Sequence, residues 1–346
     1  MTRPLAFAIP GDIATLTGGY IYERRLLEGL RHAGHDVQHL VLPASFPDAT
    51  PTDLAAAVSA LADVAPDRPL ILDGLVFGAI DTGGLAQVRA PVVAMIHHPL
   101  ALETGLGADR RDHLFRTERD NLRLAWHVLV PSPHTRRILI DRYDVPPGAI
   151  TVLRPGVDRP TLPPAPATPP LILSVGILHP RKGHDILIDA LSHLADLDWQ
   201  AVIVGNPWDH GHAAALERQL AASPAAHRIR LAGRVPADAL EALYSRASVF
   251  ALATWYEGHG IVFDDALVRG LPIVSCTAGA VPDTVPQGAG LLVPPGDAMA
   301  FAQALRSLLE APDRRRAMAD AALAAGAGLP GWPQVADRAS RVLSGI

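Results

Sequence analysis

What most restricts the fold of this chain is an alternation that runs through it twice. In the first half the apolar run Leu5–Ile9 is followed by a helical stretch, Tyr20–Ala33, and a second run, Val37–Leu42. Runs this short, bounded by glycine and proline and rich in aliphatic residues, read as buried parallel strands joined by crossover helices. The pattern restarts in the second half with Leu171–Gly176, the helical His184–Leu194 and the run Ala201–Gly205. Between the halves, Arg159–Pro170 carries six prolines in twelve residues, a stiff, donor-poor stretch that reads as a linker. The expectation is an α/β protein of two Rossmann-like domains, 1–160 and 171–330, separated by a linker at 159–170.

Composition narrows the class. Of 346 residues 49% are hydrophobic and 19% charged, and no apolar run approaches the ~18 residues that span a bilayer. A net charge of −5 argues against a general nucleic-acid binder. Cys276 is the only cysteine, so internal disulfides and cysteine-based metal sites are excluded. Its place at a strand end predicts a buried, inert thiol. The apolar part of the N-terminus is too short for a secretory signal, and cytoplasmic residence is the expectation.

The stretch Trp255–Ser275 carries the most chemistry. A strand, Phe250–Ala253, leads through a loop holding Glu257, Gly258, His259 and Gly260 into a helix that starts at Ile261 and stops before Gly270 and Pro272. The first turn of a helix leaves amides unpaired, and glycine lets a phosphate approach the main chain. Glu257 and Asp265 would repel that phosphate unless they face hydroxyls. A nucleotide joined to a sugar satisfies both demands. After the strand Leu171–Gly176, Arg181 and Lys182 stand where a diphosphate needs cations. The strands Ala201–Gly205 and Ile229–Gly233 each end in glycine, where backbone groups can read a base.

The Glu257–Asp265 segment resembles the donor-binding signature of retaining glycosyltransferases of family 4 with the GT-B fold, two Rossmann-like domains facing a cleft. That signature has two glutamates separated by seven residues in a Glu-Gly-Phe-Gly context. Here Glu257 and both glycines are kept, His259 replaces the phenylalanine, and Asp265 replaces the second glutamate. The resemblance extends to Arg154–Asp158, to Gly279–Asp283 and to Gly288–Asp297. It implies that Glu257 contacts the sugar, Asp265 the ribose, and Gly233-Arg234-Val235 the base. Family members also carry an arginine directly after the glycine of the Leu171–Gly176 strand; Ile177 stands there, with Arg181 as the substitute. The resemblance further implies that a terminal helix, 331–346, crosses back onto the first domain.

In the first domain, Pro10–Asp12 with Thr17–Gly19 forms a glycine-bearing turn before the first helix. It lacks a G-x-G-x-x-G, which counts against a dinucleotide enzyme. By the resemblance, Gly18 and Gly19 face the donor's phosphate and sugar, and His97, at the end of the strand Pro91–Ile96, contacts the donor sugar. Adjacent residues on an extended chain point apart, so His97 and His98 do not make a metal pair, and no metal site is expected. His98 and Glu103 are candidates for the acceptor pocket. The arginine-rich segment 108–142 reads either as a solvated helix face or as a basic surface for anionic lipid or an acidic acceptor, which leaves peripheral contact at the inner membrane face open.

The function implied is metal-independent transfer of a sugar, with retention, from a nucleotide-diphosphate sugar to an acceptor hydroxyl on a sugar, lipid or small molecule. UDP is the favoured donor nucleotide on family frequency, and no cofactor beyond this co-substrate is implied. His97 and Glu257 are the catalytic candidates. Two alternatives stay open: a GT-B sugar-nucleotide epimerase, which turns over donor alone, and a catalytically silent sugar-nucleotide-binding protein.

Overall fold

A computed structural model describes residues 2–345. The chain divides into two compact units, one running to Gly156 and resumed at Pro330, the other spanning Val157–Leu329. The first contains six strands, β1 (Pro4–Pro10), β2 (Asp36–Leu42), β3 (Leu70–Asp73), β4 (Val92–Met95), β5 (His127–Val130) and β6 (Ile150–Val152). They form one sheet in the order β2-β1-β3-β4-β5-β6, every pairing parallel. Leu5, Ala6, Phe7, Ala8 and Ile9 are all inaccessible to solvent, as a central parallel strand covered on both faces requires. Crossover helices at Gly18–His32, Pro51–Ala62, Ala108–Leu122 and Pro133–Tyr143 supply that cover. The second begins with a capping box in which Thr50 and Asp53 satisfy each other's backbone amides.

The second unit repeats the plan with β7 (Leu171–Val175), β8 (Gln200–Val204), β9 (Ile229–Gly233), β10 (Ala247–Leu252), β11 (Ile273–Cys276) and β12 (Gly290–Val293). Their order is β12-β11-β10-β7-β8-β9, again parallel throughout. Ile172 belongs to an apolar cluster with Trp199, Leu187 and Phe301, whereas Leu171 and Leu173 join another with Phe250 and Phe263. Successive residues of one strand thus feed cores on opposite faces. Cys276 is buried, and burial pushes its thiol up to about 12.

Two connections differ from a plain reading of composition. The proline-rich segment 159–170 falls within the second unit and is fastened to it. Its remaining amides are placed to bond: Ala165 N donates to Ser245 O at 2.8 Å and Ala167 N to Arg246 O at 2.9 Å. These carbonyls end the helix Ala237–Arg246 and have no partner within it. Arg159 donates to Gly326 O and Leu329 O, each at 2.8 Å. The other connection is the last helix, Trp332–Ser344, which lies along Gly18–His32 in the first unit. Gly29 makes this approach feasible, since a Cβ there would come within 2.8 Å of Ala336 Cβ. Tyr22 and Trp332 meet edge to face at 5.7 Å, and His35 Nε2 bonds Ser340 Oγ at 2.7 Å. Among the described residues no helix is long and apolar enough to cross a membrane.

Candidate functional site

In an open parallel sheet, ligands collect beyond the carboxyl ends of the strands where the strand order reverses. In the second unit that point lies between β7 and β10, the first strands of the two halves of its sheet. The loop after β7 ends in a short 3-10 turn, Pro180–Lys182, and the loop after β10 carries Thr254–Gly260. Lys182 Nζ donates to Glu257 Oε1 at 2.6 Å, and Thr254 Oγ1 donates to the same oxygen at 3.1 Å. Arg181 donates from NH1 to Tyr256 O at 3.1 Å, with the same nitrogen 3.9 Å from Glu257 Oε2. Burial would raise the Glu257 carboxyl, but Lys182, Arg181 and the Thr254 hydroxyl overcome it and hold the group below the usual carboxylate range.

Two glycines make this junction possible. Gly183, at φ +61°, would carry a Cβ 2.0 Å from Ala253 O, so only glycine lets the two loops meet. Gly279, at φ +54°, would place one 2.3 Å from Glu257 O. The Glu257 backbone in turn accepts from Ala280 N at 2.8 Å. Gly258 and Gly260 flank His259, and Gly260, at φ +87°, turns the chain into the helix Ile261–Leu267.

The remaining candidates of this unit are placed differently from one another. The His259 ring is buried and bonds through Nε2 to Asp264 Oδ2, a fully buried carboxylate, while its Nδ1 is buried without a hydrogen-bond partner. Asp265 pairs with Arg269 at 3.6 Å. Its carboxyl is pushed up to about 7, mainly by burial and further by Asp264, Asp158 and Glu241, against the pull of Arg269. Gly205 owes its identity to packing, because a Cβ there would sit 1.8 Å from Gly176 O at the end of β7. Arg234 is exposed and Val235 half-buried against the Phe250 cluster.

The first unit has its reversal between β1 and β3. Gly18 and Gly19 open the helix that follows β1, where Thr17 gives no side-chain cap. A Cβ on Gly19 would lie 3.4 Å from His97 Cδ2, so the glycine turn and the histidine are neighbours. His97 Nε2 is 3.3 Å from Glu23 Oε1, and the Tyr22 ring meets the imidazole edge to face at 5.3 Å. Glu23, Asp73 and His97 form the one His/Asp/Glu group with metal-like spacing among the described residues, where none was expected. His98 Nε2 bonds Glu103 Oε2 at 3.2 Å, bringing the two acceptor candidates together. Glu103 also lines a groove of about 610 Å³ with Phe115, Arg111 and Arg142.

Comparison with known proteins bears on this geometry. The family described as Glycosyl transferases group 1 matches residues 162–324, and the one described as Glycosyltransferase Family 4 matches residues 18–159. The chain belongs to the group 1, family 4 glycosyltransferases. A D-inositol 3-phosphate glycosyltransferase of Kineococcus radiotolerans is 30% identical over 249 residues, 64% of this chain and 57% of that one. A relative from Corynebacterium glutamicum, named a GDP-mannose-dependent monoacylated alpha-(1-6)-phosphatidylinositol monomannoside mannosyltransferase, is 31% identical over 185 residues, 51% of this chain and 47% of that one. The chain thus matches about half the length of these curated relatives. The Anabaena protein HepE, solved in complex with UDP-glucose, shares the fold at a TM-score of 0.79 and 17% identity, with all of both chains covered. The two six-stranded parallel sheets are those of the family's GT-B architecture.

Glu23, Asp73 and Asp264 are site-region residues that motif reading passed over. Asp73 ends an otherwise apolar strand, a signal available in the sequence. Glu23 and Asp264 sit in helices with no local sign of burial.

Proposed function

We propose that the chain transfers a sugar from a nucleotide-diphosphate sugar to an acceptor hydroxyl, with retention at the anomeric carbon and without a metal. The observation that carries the proposal is the Lys182–Glu257 contact at the strand-order reversal of the second unit. It sets a cation and a carboxylate side by side, the pair needed by a ligand whose diphosphate is anionic and whose sugar offers hydroxyls. On binding, Lys182 and Arg181 turn to the diphosphate and stabilise the charge that grows on the leaving group, with loop amides from Gly258 to Ile261. Glu257, released from Lys182, accepts hydroxyls of the sugar, and Asp265 those of the ribose. In the first unit His97 hydrogen-bonds a hydroxyl of the sugar substrate, and His98 with Glu103 receives the acceptor.

UDP is proposed as the donor nucleotide, supported by the UDP-glucose complex of HepE; the mannosyltransferase relative named for GDP-mannose makes GDP the competing base. The test is a thermal-shift screen of UDP-, GDP- and ADP-sugars, since a ligand that binds only the native state raises apparent stability. Turnover with the stabilising donor follows, in wild type, Lys182→Ala and Glu257→Ala. Both variants should lose at least about two orders of magnitude in kcat/KM, of the size that removing one electrostatic contact to a developing charge costs. Full activity in both would refute the site.

A further inference from the structure

Two acids that no step above uses lie behind His97. Glu23, on the helix after β1, is 1% exposed, and Asp73, the last residue of β3, is 4% exposed. Asp73 Oδ1 accepts from Leu75 N at 2.8 Å. One oxygen of each and a His97 ring nitrogen all lie within 4.8 Å of one another. The titratable groups around them are Tyr20 and Tyr22 on the same helix, Asp12 in the loop after β1, and His97, with Arg338 of the last helix acting on Tyr22. Among the described residues neither acid meets a lysine or arginine.

Two buried carboxylates with oxygens within 4.8 Å of each other and no lysine or arginine beside them cannot both be ionised. We infer that Glu23 and Asp73 are positioning residues for His97: they hold a proton between them, keep the imidazole uncharged, and fix which ring nitrogen is turned to the sugar. The inference rests on the reading of His97 as a sugar contact. Burial pushes Glu23 up to about 8 and Asp73 well above its ordinary range, while it lowers His97 against the opposing pull of Asp73. With a proton shared between the acids at most one negative charge faces the ring, and burial of the imidazole outweighs its pull on a second proton. Nε2 is committed to Glu23, so the Glu23–Nε2 bond sets the tautomer and leaves Nδ1 as the nitrogen for a ligand. The Tyr22 ring packs edge to face against the imidazole, whose Cδ2 edge lies beside Gly19.

The experiment compares the full-length wild type with Glu23→Gln and Glu23→Leu by two readouts. Ring ¹⁵N shifts of His97, assigned with His97→Gln, should show one uncharged tautomer across pH 6 to about 7.5 in wild type and in E23Q. In E23L the ring should mix tautomers or take up a proton within that range. In turnover with the donor found by thermal shift, wild-type kcat should fall as pH rises through about 8. E23Q, which cannot ionise, should stay within about threefold of wild type at pH 7 and lack that alkaline limb. Identical His97 shifts in all three proteins, or the same alkaline limb in wild type and E23Q, would overturn the inference. So would stoichiometric uptake of Zn²⁺ or Mn²⁺ by wild type and not by E23Q, since a metal would then replace the proton. If no sugar is transferred at all, the transfer reading fails while the NMR comparison still decides this one. Should E23L not fold, the pH profiles of wild type and E23Q decide: an alkaline limb in both, or in neither, overturns the inference.

Discussion

Lys182 and Glu257, 75 residues apart, meet at 2.6 Å with side chains 13% and 6% exposed, and this contact joins the two loops that flank the central strands of the second unit. A carboxylate that loses its cation in such a place stays buried and charged. Lys182→Met should therefore destabilise the fold by roughly 3 kcal/mol, whereas Glu257→Gln, which leaves the more exposed of the two charges and keeps an amide oxygen to accept from it, should cost about 1 kcal/mol. Urea midpoints measure the difference, and equal costs would show that a stranded lysine is as costly here as a stranded carboxylate. The pH dependence has a definite sign. The folded Glu257 carboxyl lies below its ordinary 4.5, so its contribution is fully present above that value and is lost as pH falls beneath it. The gap between wild type and E257Q should close in acid.

The His259–Asp264 pair explains how a histidine stands at a position the family gives to phenylalanine. Nε2 of the ring would be unsatisfied in the core, and Asp264, fully buried, accepts from it, while Nδ1 is buried without a hydrogen-bond partner. Restoring phenylalanine alone should thus harm the protein: His259→Phe is expected to cost about 1–3 kcal/mol, because it removes the buried hydrogen bond from the ring to Asp264 Oδ2. Asp264→Leu on that background should recover at least about 1 kcal/mol, a coupling read from a double-mutant cycle. Additive effects would show that the two side chains do not depend on each other.

Most of the sheet strands were legible because they are apolar runs bounded by glycine or proline, and those of the first unit up to Asp73 match within a residue or two. The helix Pro312–Ala327 left no such mark: its buried face is Met318, Ala322 and Gly326, small residues in an alanine-rich stretch with little polarity contrast. The Lys182 and Glu257 neighbourhood could be read because glycines and charges cluster in sequence on both loops. Glu23 could not, since its partners Asp73 and His97 are distant in the chain and meet only through the β1, β3, β4 order of the sheet. The prolines of 159–170 suggested a spacer because composition records the amides a segment lacks, and not the two alanine amides that tie it down.

Glu118, fully buried in the helix Ala108–Leu122, offers a test of burial without function. Burial pushes its carboxyl from an ordinary 4.5 up to about 8, opposed by the Tyr143 hydroxyl and the Leu100 amide. Between those values the unfolded chain has released a proton that the folded chain retains. Stability should accordingly fall with rising pH, by up to about 1.4 kcal/mol per pH unit, and level off above about 8. Glu118→Gln removes this slope, so the melting-temperature advantage of the variant should grow from pH 5 to pH 8. A constant difference across that range would mean that Glu118 ionises normally.

Asp265 stands one carbon short of the family's second glutamate and is drawn toward Arg269, with its carboxyl at about 7. If it accepts the ribose hydroxyls, it does so as a carboxylate, and the preference for a ribonucleoside diphosphate over its 2′-deoxy counterpart should depend on its charge. That preference is expected to rise as pH increases through about 7 and to reach on the order of tenfold, the worth of a hydrogen bond to a charged group. Asp265→Asn should flatten the profile, since an amide does not titrate. Asp265→Glu should keep the preference and shift its onset toward lower pH, because the longer side chain reaches past Arg269 into better solvated surroundings. Calorimetric Kd values for both nucleotides at pH 6 and pH 8 decide it. A pH-independent preference in wild type would assign the ribose to another residue.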